Sequence, residues 1–394
     1  MIKALKIKPK YYDIAYNLTD MRFKGIYRGK KHHENDTKHV LYRAINSNVK
    51  RLLATGASIY ESKEVIEYCK KFELPDYPLY YTIGVHPCCV NEFGRILDEK
   101  YSMSTLYTPS DDEPYNLKVY NDTIENPSFA QAKLLELYQL WELQLKNDPK
   151  NFRALGEFGL DYDKFNFSNK EMQKLFFQEQ LKLVCLFYEN HFEFLEKNPI
   201  GLFLHMRIAS DDFVEIFKKF IDGFNTSNDI FKLKEIIPST NPGYYKLPSF
   251  VKFVAHSFSD DSNALKKLLN VSPKMYIGLN GASLQNESNL LAIRDTLPIE
   301  RIILETDAPW CEIKKKSDCF KYLVDAPSIP YKSVKYDKLD KITDDSIKNL
   351  TMIKDRNEPC NISQVAIIIA KLKNMELNDL IEIVWNSTCA VYGE

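Results

Sequence analysis

The fold is indicated first by residues 253–258, which read FVAHSF, and by the amphipathic pattern that follows at 261–269. A short apolar run that ends in polar residues and leads into a helix is typical of a buried parallel strand with its crossover helix. The same pattern recurs along the chain. The predicted strands are 11–17, 52–56, 79–86, 152–157, 201–205, 251–256, 274–279 and 301–305. Eight such units predict an α/β fold, a closed (β/α)8 TIM-type barrel.

The composition of the 394-residue chain agrees with a globular fold. Apolar residues make up 44% and charged residues 27%, which excludes a disordered chain, a collagen-like fibre and a membrane bundle. The 53 basic and 54 acidic residues nearly cancel, so a broad basic face is not expected, although a local basic cleft remains open. No apolar run reaches the roughly 18 residues of a membrane span. Residues 1–10 show no secretory pattern, so we expect an intracellular location, cytoplasmic and/or nuclear.

Three polar segments interrupt the strand–helix pattern, at 98–126, 225–248 and 312–349. Each follows a strand and its motif or lies between a helix and a strand. Long connections of this kind on a barrel are usually surface loops that carry function. We therefore expect one domain, 1–394, with three loop insertions.

Ionisable residues fall at the carboxyl ends of five predicted strands. His86 ends the third strand, Glu157 the fourth, His205 the fifth and His256 the sixth, and Asp307 follows the eighth. In a barrel these ends meet at one rim, where active sites form. One histidine at a strand end is usually structural, but four such coincidences on one rim are not expected by chance. The other histidines, 32, 33, 39 and 191, are expected to be solvated.

Imidazole and carboxylate groups at one rim indicate a divalent-cation site. A carboxylate can bridge two cations about 3.5–4 Å apart, and such a pair activates water for phosphodiester hydrolysis. Glu157 is the candidate bridge, and His205 and His256 are candidate terminal ligands. Asp307 is a candidate ligand that could also accept the proton of the attacking water. Glu305 is expected to have a structural role.

The motifs around these residues form an ordered set along the chain. They read DIAYNLTD at 13–20, GVHP at 84–87, GEFGLD at 156–161, HMR at 205–207, HSF at 256–258, ETDAPW at 305–310 and RNEP at 356–359. Each is weak alone, but the set resembles the TatD family of metal-dependent deoxyribonucleases over nearly the whole chain. Residues 17–29 look closest to the eukaryotic branch, and the three insertions look like those of fungal members.

The resemblance implies a barrel of the metallo-dependent hydrolase group and a nuclease that removes nucleotides from DNA, often from the 3′ end. It implies one or two divalent cations, Mg²⁺ or Mn²⁺, with Zn²⁺ also compatible. The family's ligand positions map onto Glu157, His205, His256 and Asp307, and His86 maps onto an active-site histidine that contacts phosphate. The expected catalytic residues are thus Asp307, Glu157 and His86.

One departure from the family concerns the first strand. Many relatives carry His-x-His there, whereas this chain has Ala15 and Asn17. Alanine has no donor atom and an amide oxygen is a poor ligand for transition metals. A second cation is therefore expected to bind weakly, through Glu157, Asp307, water and the substrate phosphate, which suits Mg²⁺.

Basic residues near the predicted rim are candidates for binding DNA. Phosphate contacts from Arg and Lys, together with aromatic rings that stack on unpaired bases, suit an enzyme that works on strand ends. Phe23 and Tyr27 lie between the basic residues after the first strand. Arg356 and 314–316 follow the last strand. The substrate-binding candidates are Asn17, Arg22, Lys24, Arg28 and Arg207.

Two other functions remain open at this point. The same ligand set would serve a barrel hydrolase for an ester or amide, in a small molecule or an aminoacyl-tRNA, because activated water is not specific for one substrate. A binding protein that kept the fold and lost the chemistry is a further alternative. The near-neutral net charge favours the ester or amide hydrolase, whereas the basic and aromatic loop after the first strand favours a DNA substrate. The complete set of ligand residues argues against a binding protein without catalytic activity. DNA is the expected partner, and no stable protein partner can be inferred.

Overall fold

The computed structural model describes residues 9–98, 113–226, 229–241 and 243–394. Eight parallel strands form one sheet in which each strand pairs with its neighbours in chain order. They are Tyr11–Tyr16, Val49–Ala54, Leu79–Ile83, Phe152–Asp161, Gly201–Arg207, Phe253–His256, Met275–Leu279 and Ile302–Leu304. Each overlaps one predicted strand, and the first strand meets the segment after the eighth through a bridge between Tyr16 and Ala308. The predicted (β/α)8 barrel is therefore confirmed.

Helices cover the outside of this barrel. The longer described helices are Thr37–Asn46, Ile59–Phe72, Glu113–Glu125, Ser128–Asn147, Lys170–Asn190, Ser210–Asp222, Ser262–Val271, Glu287–Thr296, Ile362–Leu372 and Leu377–Tyr392. The shorter ones are Phe192–Lys197, Leu233–Ile236 and Asp345–Asn349. Among the described helices, none combines the length and the apolar character needed to cross a bilayer. Because helices cover one face and the barrel interior the other, the first strand is buried along its whole length.

The barrel interior is filled by apolar side chains that stand directly below the rim residues. Phe203 and Val254 belong to this inner cluster, and each comes two residues before a strand-end histidine. Alternate residues of a strand point to the same face, so His205 and His256 continue the inner face at its upper end. The rings of Phe203 and His256 stack with their centroids 4.4 Å apart. The inner core is therefore the floor of the candidate site.

The barrel closes through polar contacts between the first strand and the segment after the eighth. The Asp13 carboxylate accepts hydrogen bonds from Thr306 N at 2.9 Å and Thr306 Oγ1 at 2.5 Å. The Asn17 backbone N–H donates to the Ala308 carbonyl at 2.9 Å. Asn357 Nδ2 donates to the Thr306 carbonyl at 2.9 Å and so ties in the next segment. We call this region, residues 13–17 and 306–308, the seam.

A buried cluster of four charges supports the seam from outside. Arg356 donates to both carboxylate oxygens of Asp36, at 2.7 and 2.6 Å, and to Glu358 at 2.9 Å. Arg43 donates twice to Glu358, at 2.6 and 3.0 Å. All four side chains are buried. Removing one member would leave an unpaired buried charge, at a cost of about 3–5 kcal/mol. The prediction that Arg356 binds DNA is therefore wrong, because its guanidinium is enclosed.

The last predicted insertion packs against the first helix. Lys38 pairs with Asp345 at 2.8 Å, and His39 Nδ1 lies 2.8 Å from Asn349 Oδ1. His39 and His33 are both buried, so the prediction that they are solvated is wrong. Distant segments cover them, which their local sequence does not reveal.

The other two insertions are described only in part. In the first, helix Glu113–Glu125 is described and residues 99–112 lie outside the described ranges. The second contains an antiparallel pair, Phe224–Asn225 with Tyr244–Tyr245, and one short helix, Leu233–Ile236. Residues 227, 228 and 242 of this insertion lie outside the described ranges.

Candidate active site

Glu157 is the centre of the polar cluster at the barrel rim. Its Oε1 atom lies 2.5 Å from His256 Nε2, 2.9 Å from His205 Nδ1 and 3.4 Å from His86 Nε2. The two nitrogens of His205 and His256 are 3.3 Å apart. The three histidines and Glu157 lie within or just after four adjacent strands and are separated by up to 170 positions in sequence, and they thus meet at one carboxylate; the fourth strand continues to Asp161, four residues beyond its predicted end at Glu157.

The donor set of Glu157, His205 and His256 fits a divalent cation. One ligand atom from each lies within 4.8 Å of the others. Ligands placed 2.0–2.2 Å from a cation are roughly 3 Å from one another, which matches the distances above. The side chains are almost enclosed, and imidazole with carboxylate is a set that Mn²⁺, Zn²⁺ and, less readily, Mg²⁺ accept. The residues that the sequence selected therefore have the chemistry and the spacing of a cation site.

Each of the two histidines carries a second carboxylate on its far nitrogen. Asp161 Oδ2 lies 3.1 Å from His205 Nε2, and Glu305 Oε2 lies 3.6 Å from His256 Nδ1. Such outer partners set the tautomer and the orientation of a ligating imidazole. In the described part of the chain, Asp161 also forms a second potential ligand group, with His86 and His205.

Sequence reasoning missed Asp161 as a site residue, although a signal was present. Asp161 follows Glu157 by four positions in one strand, and residues i and i+4 of a strand share a face. Close packing also needs two glycines. A Cβ on Gly159 would stand 1.9 Å from the His205 carbonyl, and one on Gly278 would stand 2.5 Å from Glu305 Oε2. Glycine at position 159 allows the fourth and fifth strands to lie close together, and glycine at position 278 leaves room for the Glu305 carboxylate.

Glu305 is held firmly, as expected for a structural residue. Its Oε1 accepts from Ser257 N at 2.7 Å and from Asn280 Nδ2 at 2.9 Å. Its other oxygen faces His256 and has no hydrogen-bond partner. The anchored carboxylate therefore presents one free oxygen toward His256 Nδ1, which also lacks a hydrogen-bond partner.

The electrostatics of the cluster favour an ionised Glu157. Burial alone would raise its pKa, but the charge of His256 and the hydrogen bonds from His205 and His256 hold the pKa well below its usual range. Burial would lower the pKa of His256, yet Glu157 and Glu305 raise it well above the usual value. For His205, hydrogen bonds to Asp161 and Glu157 outweigh burial and raise its pKa.

His86 differs from the other two histidines because it is held neutral. Burial lowers its pKa to about 4. Its Nδ1 accepts a hydrogen bond from Cys88 N at 3.0 Å, so the ring proton of the neutral form lies on Nε2. His86 therefore presents an N–H donor toward Glu157 and the pocket.

Asp307 lies on the seam, apart from the close cluster. Its Oδ1 accepts from Asn17 Nδ2 at 2.9 Å, and its Oδ2 lies 3.2 Å from Cys311 Sγ. Burial, with the nearby charges of Glu305 and Glu157, raises its pKa to about 6, while His256 acts in the opposite direction. In the described residues, neither of the two close ligand groups includes Asp307. The structure thus brings three of the four predicted ligands together and places the fourth beside them.

The predicted substrate-binding residues are not all free to meet DNA. Asn17 is used within the site, since its amide donates to Asp307 and its Oδ1 accepts from Thr55 Oγ1 at 2.8 Å. Lys24 is mostly covered and pairs with Glu64 at 2.5 Å. Arg207 is 46% exposed at the end of the fifth strand, where it pairs with Asp163 at 3.0 Å.

Arg28 and Arg22 lie in the loop after the first strand. Arg28 is exposed at the tip of the hairpin that pairs Ile26–Tyr27 with Lys30–Lys31. Arg28 and Gly29 both have positive φ, 50° and 74°, as a two-residue type I′ turn requires. Arg22 is partly covered, pairs with Asp20 at 3.1 Å and lies over the Trp310 ring.

The two aromatic residues proposed to stack on bases already pack against other residues of the chain. Phe23 is completely buried, and Arg356 lies over its ring. Tyr27 stacks on Tyr336 with ring centroids 4.3 Å apart. The proposal that Phe23 meets DNA is therefore wrong, because the ring belongs to the core under the loop.

Comparisons with known proteins agree with this geometry. A family model described as TatD related DNase matches residues 12–393. Deoxyribonuclease Tat-D of Saccharomyces cerevisiae is 47% identical over 393 residues, which cover 98% of this chain and 91% of that protein. A protein of Erwinia tasmaniensis named 3′-5′ ssDNA/RNA exonuclease TatD is 24% identical over 301 residues, 76% of this chain and 79% of that protein.

A solved structure gives the same result for the fold. It is described as an uncharacterized amidohydrolase from Saccharomyces cerevisiae, and it superposes with a TM-score of 0.85 at 45% identity. The match covers 98% of this chain and 100% of the other. The chain therefore belongs to the TatD family of deoxyribonucleases and groups with its fungal members.

Proposed function

We propose that this chain is a divalent-cation-dependent exonuclease that hydrolyses DNA from the 3′ end. The observation that carries the proposal is the convergence of three histidines on the Glu157 carboxylate beside a second, differently tuned carboxylate, Asp307. The Erwinia tasmaniensis relative, named a 3′-5′ ssDNA/RNA exonuclease, supports the direction of digestion.

Three residues would hold the principal cation, and the others would handle the proton and the phosphate. Glu157, His205 and His256 would be its ligands. A bound divalent cation supplies Lewis-acid activation of water and of the scissile phosphate. Asp307 accepts a proton from the attacking water, for which its raised pKa suits it better than that of an exposed aspartate. His86 donates its Nε2 proton in a hydrogen bond to a phosphate oxygen.

The seam determines how a second cation would be held. Ala15 offers no donor atom and is completely buried. The amide of Asn17 points its nitrogen, not its oxygen, at Asp307. A second cation would therefore rely on Asp307, Glu157 and oxygen atoms of water and substrate, which suits Mg²⁺. We propose one firmly held cation and one that binds together with the substrate.

The substrate would approach a rim of mixed charge. Arg207 lies two residues beyond His205 and is exposed, so it can contact phosphate. Arg28 extends from the loop after the first strand. With a net charge of only −1, binding depends on such local contacts and not on a basic face. We propose DNA as the substrate partner on this basis.

The test is a cleavage assay with end-labelled DNA. Purified protein is incubated with single- and double-stranded DNA, labelled at either end, with Mg²⁺, with Mn²⁺ or with EDTA. We expect a 5′-labelled strand to shorten in single-nucleotide steps, EDTA to stop the reaction, and added cation to restore it. A His205→Ala variant purified in the same way controls for contaminating nucleases. Cleavage in EDTA, or products that shorten from the 5′ end, would contradict the proposal.

A further inference from the structure

Trp310 is an exposed aromatic residue next to the catalytic carboxylate. It is 55% exposed and comes three residues after Asp307. Its backbone N–H donates to the Asp307 carbonyl at 2.9 Å, so the ring and the carboxylate belong to one turn. The chain's other tryptophans, Trp141 and Trp385, are 0% and 6% exposed. A large aromatic ring that is exposed to solvent beside a proposed reaction centre indicates a ligand contact.

One side of the indole is already occupied by a cation. The guanidinium carbon of Arg22 lies 3.5 Å from the ring centroid. Asp20 holds this guanidinium through two hydrogen bonds, at 3.1 and 3.2 Å, and the buried Arg356 donates to the Arg22 carbonyl at 3.2 Å. Arg22 is thus held in place by groups other than Trp310. The guanidinium and the indole form a preordered stack that still leaves much of the ring open.

The position of this stack suits a flat ligand. It joins the loops after the first and eighth strands, on the seam side of the rim, across the barrel from His205 and Glu157. The nearest site groups are one carboxylate and one amide, those of Asp307 and Asn17, which do not attract a phosphate. A nucleobase has a π face and needs no charge partner, and stacking accepts every base.

We propose that Trp310, supported by Arg22, is the stacking platform for an unpaired base next to the scissile phosphate. The inference rests on the proposed nuclease function and adds to it a subsite for the base. It replaces Phe23, which is buried, and Tyr27, which is only partly exposed and stacks on Tyr336, as the aromatic contact. It also predicts a preference for single-stranded or frayed ends, because a paired base is already stacked in the duplex.

The test compares normal and abasic oligonucleotides. Short single strands of equal length, one carrying abasic residues at its 3′ end, are titrated into protein carrying Glu157→Gln to prevent digestion. Adding Trp310→Ala should weaken binding of the normal strand about 5- to 100-fold and leave the abasic strand unchanged. Trp310→Phe should restore most of the affinity. Phe194→Ala, which truncates an exposed aromatic residue before the fifth strand, at the opposite end of the barrel, should change neither strand.

Fluorescence gives a second readout that does not depend on activity. Because Trp310 is the exposed tryptophan, the normal strand should quench tryptophan emission, and Trp310→Phe should remove most of that quenching. Equal affinity of the Trp310→Ala protein and its parent for the normal strand would overturn the inference, as would equal effects on both strands. Cleavage by the unmodified chain is scored separately. A chain that binds with base-dependent quenching but never cuts DNA would overturn the proposed function instead.

Discussion

The two sides of the barrel rim carry the same kind of group in opposite electrostatic surroundings. On the side of the proposed cation ligands, which we call the ligand side and which the third to sixth strands and the residues after them form, Glu157 faces three imidazoles and its pKa lies well below the usual range. On the seam, Asp307 faces an amide and a thiol, and burial raises its pKa to about 6. Below it, burial raises the pKa of Asp13 to about 8.

The comparison shows that neighbouring groups set the proton affinity of each carboxylate, and this difference agrees with the roles that we propose for Glu157 and Asp307. A carboxylate kept ionised by imidazoles is suited to hold a cation, and one with raised proton affinity is suited to accept a proton. Two titratable groups whose surroundings separate their pKa values are the usual mark of a divided acid–base task. Histidines at positions 15 and 17 would have made the seam a second ligand side.

The largest effect should come from Glu157→Gln, which removes the charge of the ligand side and keeps its shape. We expect turnover of DNA to fall on the order of 10³-fold. A bound cation stabilises the transition state by several kcal/mol, and without its central ligand the cation is no longer held in place. The measurement is single-turnover cleavage at saturating Mg²⁺. Glu215→Gln, at an exposed position in helix Ser210–Asp222, is the matched control. Near-normal turnover in the Glu157 variant would mean that the cation lies elsewhere.

A smaller effect is expected when the outer carboxylates of the ligand side are changed one at a time. Glu305→Gln and Asp161→Asn should each lower Mn²⁺ affinity about 10- to 100-fold, because the histidine behind each loses its orienting anion. Calorimetric titration measures the affinity, and circular dichroism checks the fold. If both variants bind Mn²⁺ as the parent does, then these carboxylates serve only the packing of the rim.

The smallest effect on turnover should come from Asp13→Asn. This substitution should instead change how the free energy of unfolding depends on pH. The folded chain keeps a proton on Asp13 up to about pH 8, whereas an exposed aspartate loses it near pH 4. Rising pH therefore favours the unfolded chain between these values, by up to about 1.4 kcal/mol per pH unit. The variant should remove this part of the slope, since an amide resembles the protonated acid.

Urea unfolding of the metal-free chain at several pH values between 5 and 9 measures that slope. Asp325→Asn, at an exposed position in the last insertion, serves as the control and should leave the slope as it is. A slope that stays the same in Asp13→Asn would show that Asp13 is already ionised in the folded chain.

Much of the fold could be predicted because a buried strand is visible as a short apolar run in the local sequence. All eight barrel strands were found from short apolar runs, and their polar ends identified the residues that meet around Glu157. Because the carboxyl ends of barrel strands share one rim, these residues could be placed together without any information on side-chain packing. The sequence pattern does not indicate helix Ser128–Asn147, because this helix directly follows the polar segment 98–126 and its apolar residues are spread around its surface.

The errors involve partners that are distant in sequence. The sequence suggests Arg356 as a DNA contact, but the guanidinium binds Asp36, which is 320 positions away. His39 and Phe23 are covered by segments that no local pattern connects to them. Asp161 and Glu305 contact histidines that belong to other strands, so their position in the site depends on the strand register. Sequence patterns predict which face a residue is on, but not what covers that face.

The seam has a consequence for how the chain is made. Asp13 and Asn17 form hydrogen bonds with Thr306 and Asp307, which lie 293 and 290 positions later in the sequence. During synthesis from the N-terminus, Glu157, His205 and His256 leave the ribosome well before Asp307 does. The first strand meanwhile has an unpaired edge, which is a template for incorrect pairing. A product that ends before residue 307 would therefore lack the carboxylate that we propose as the proton acceptor, and it would be prone to aggregate.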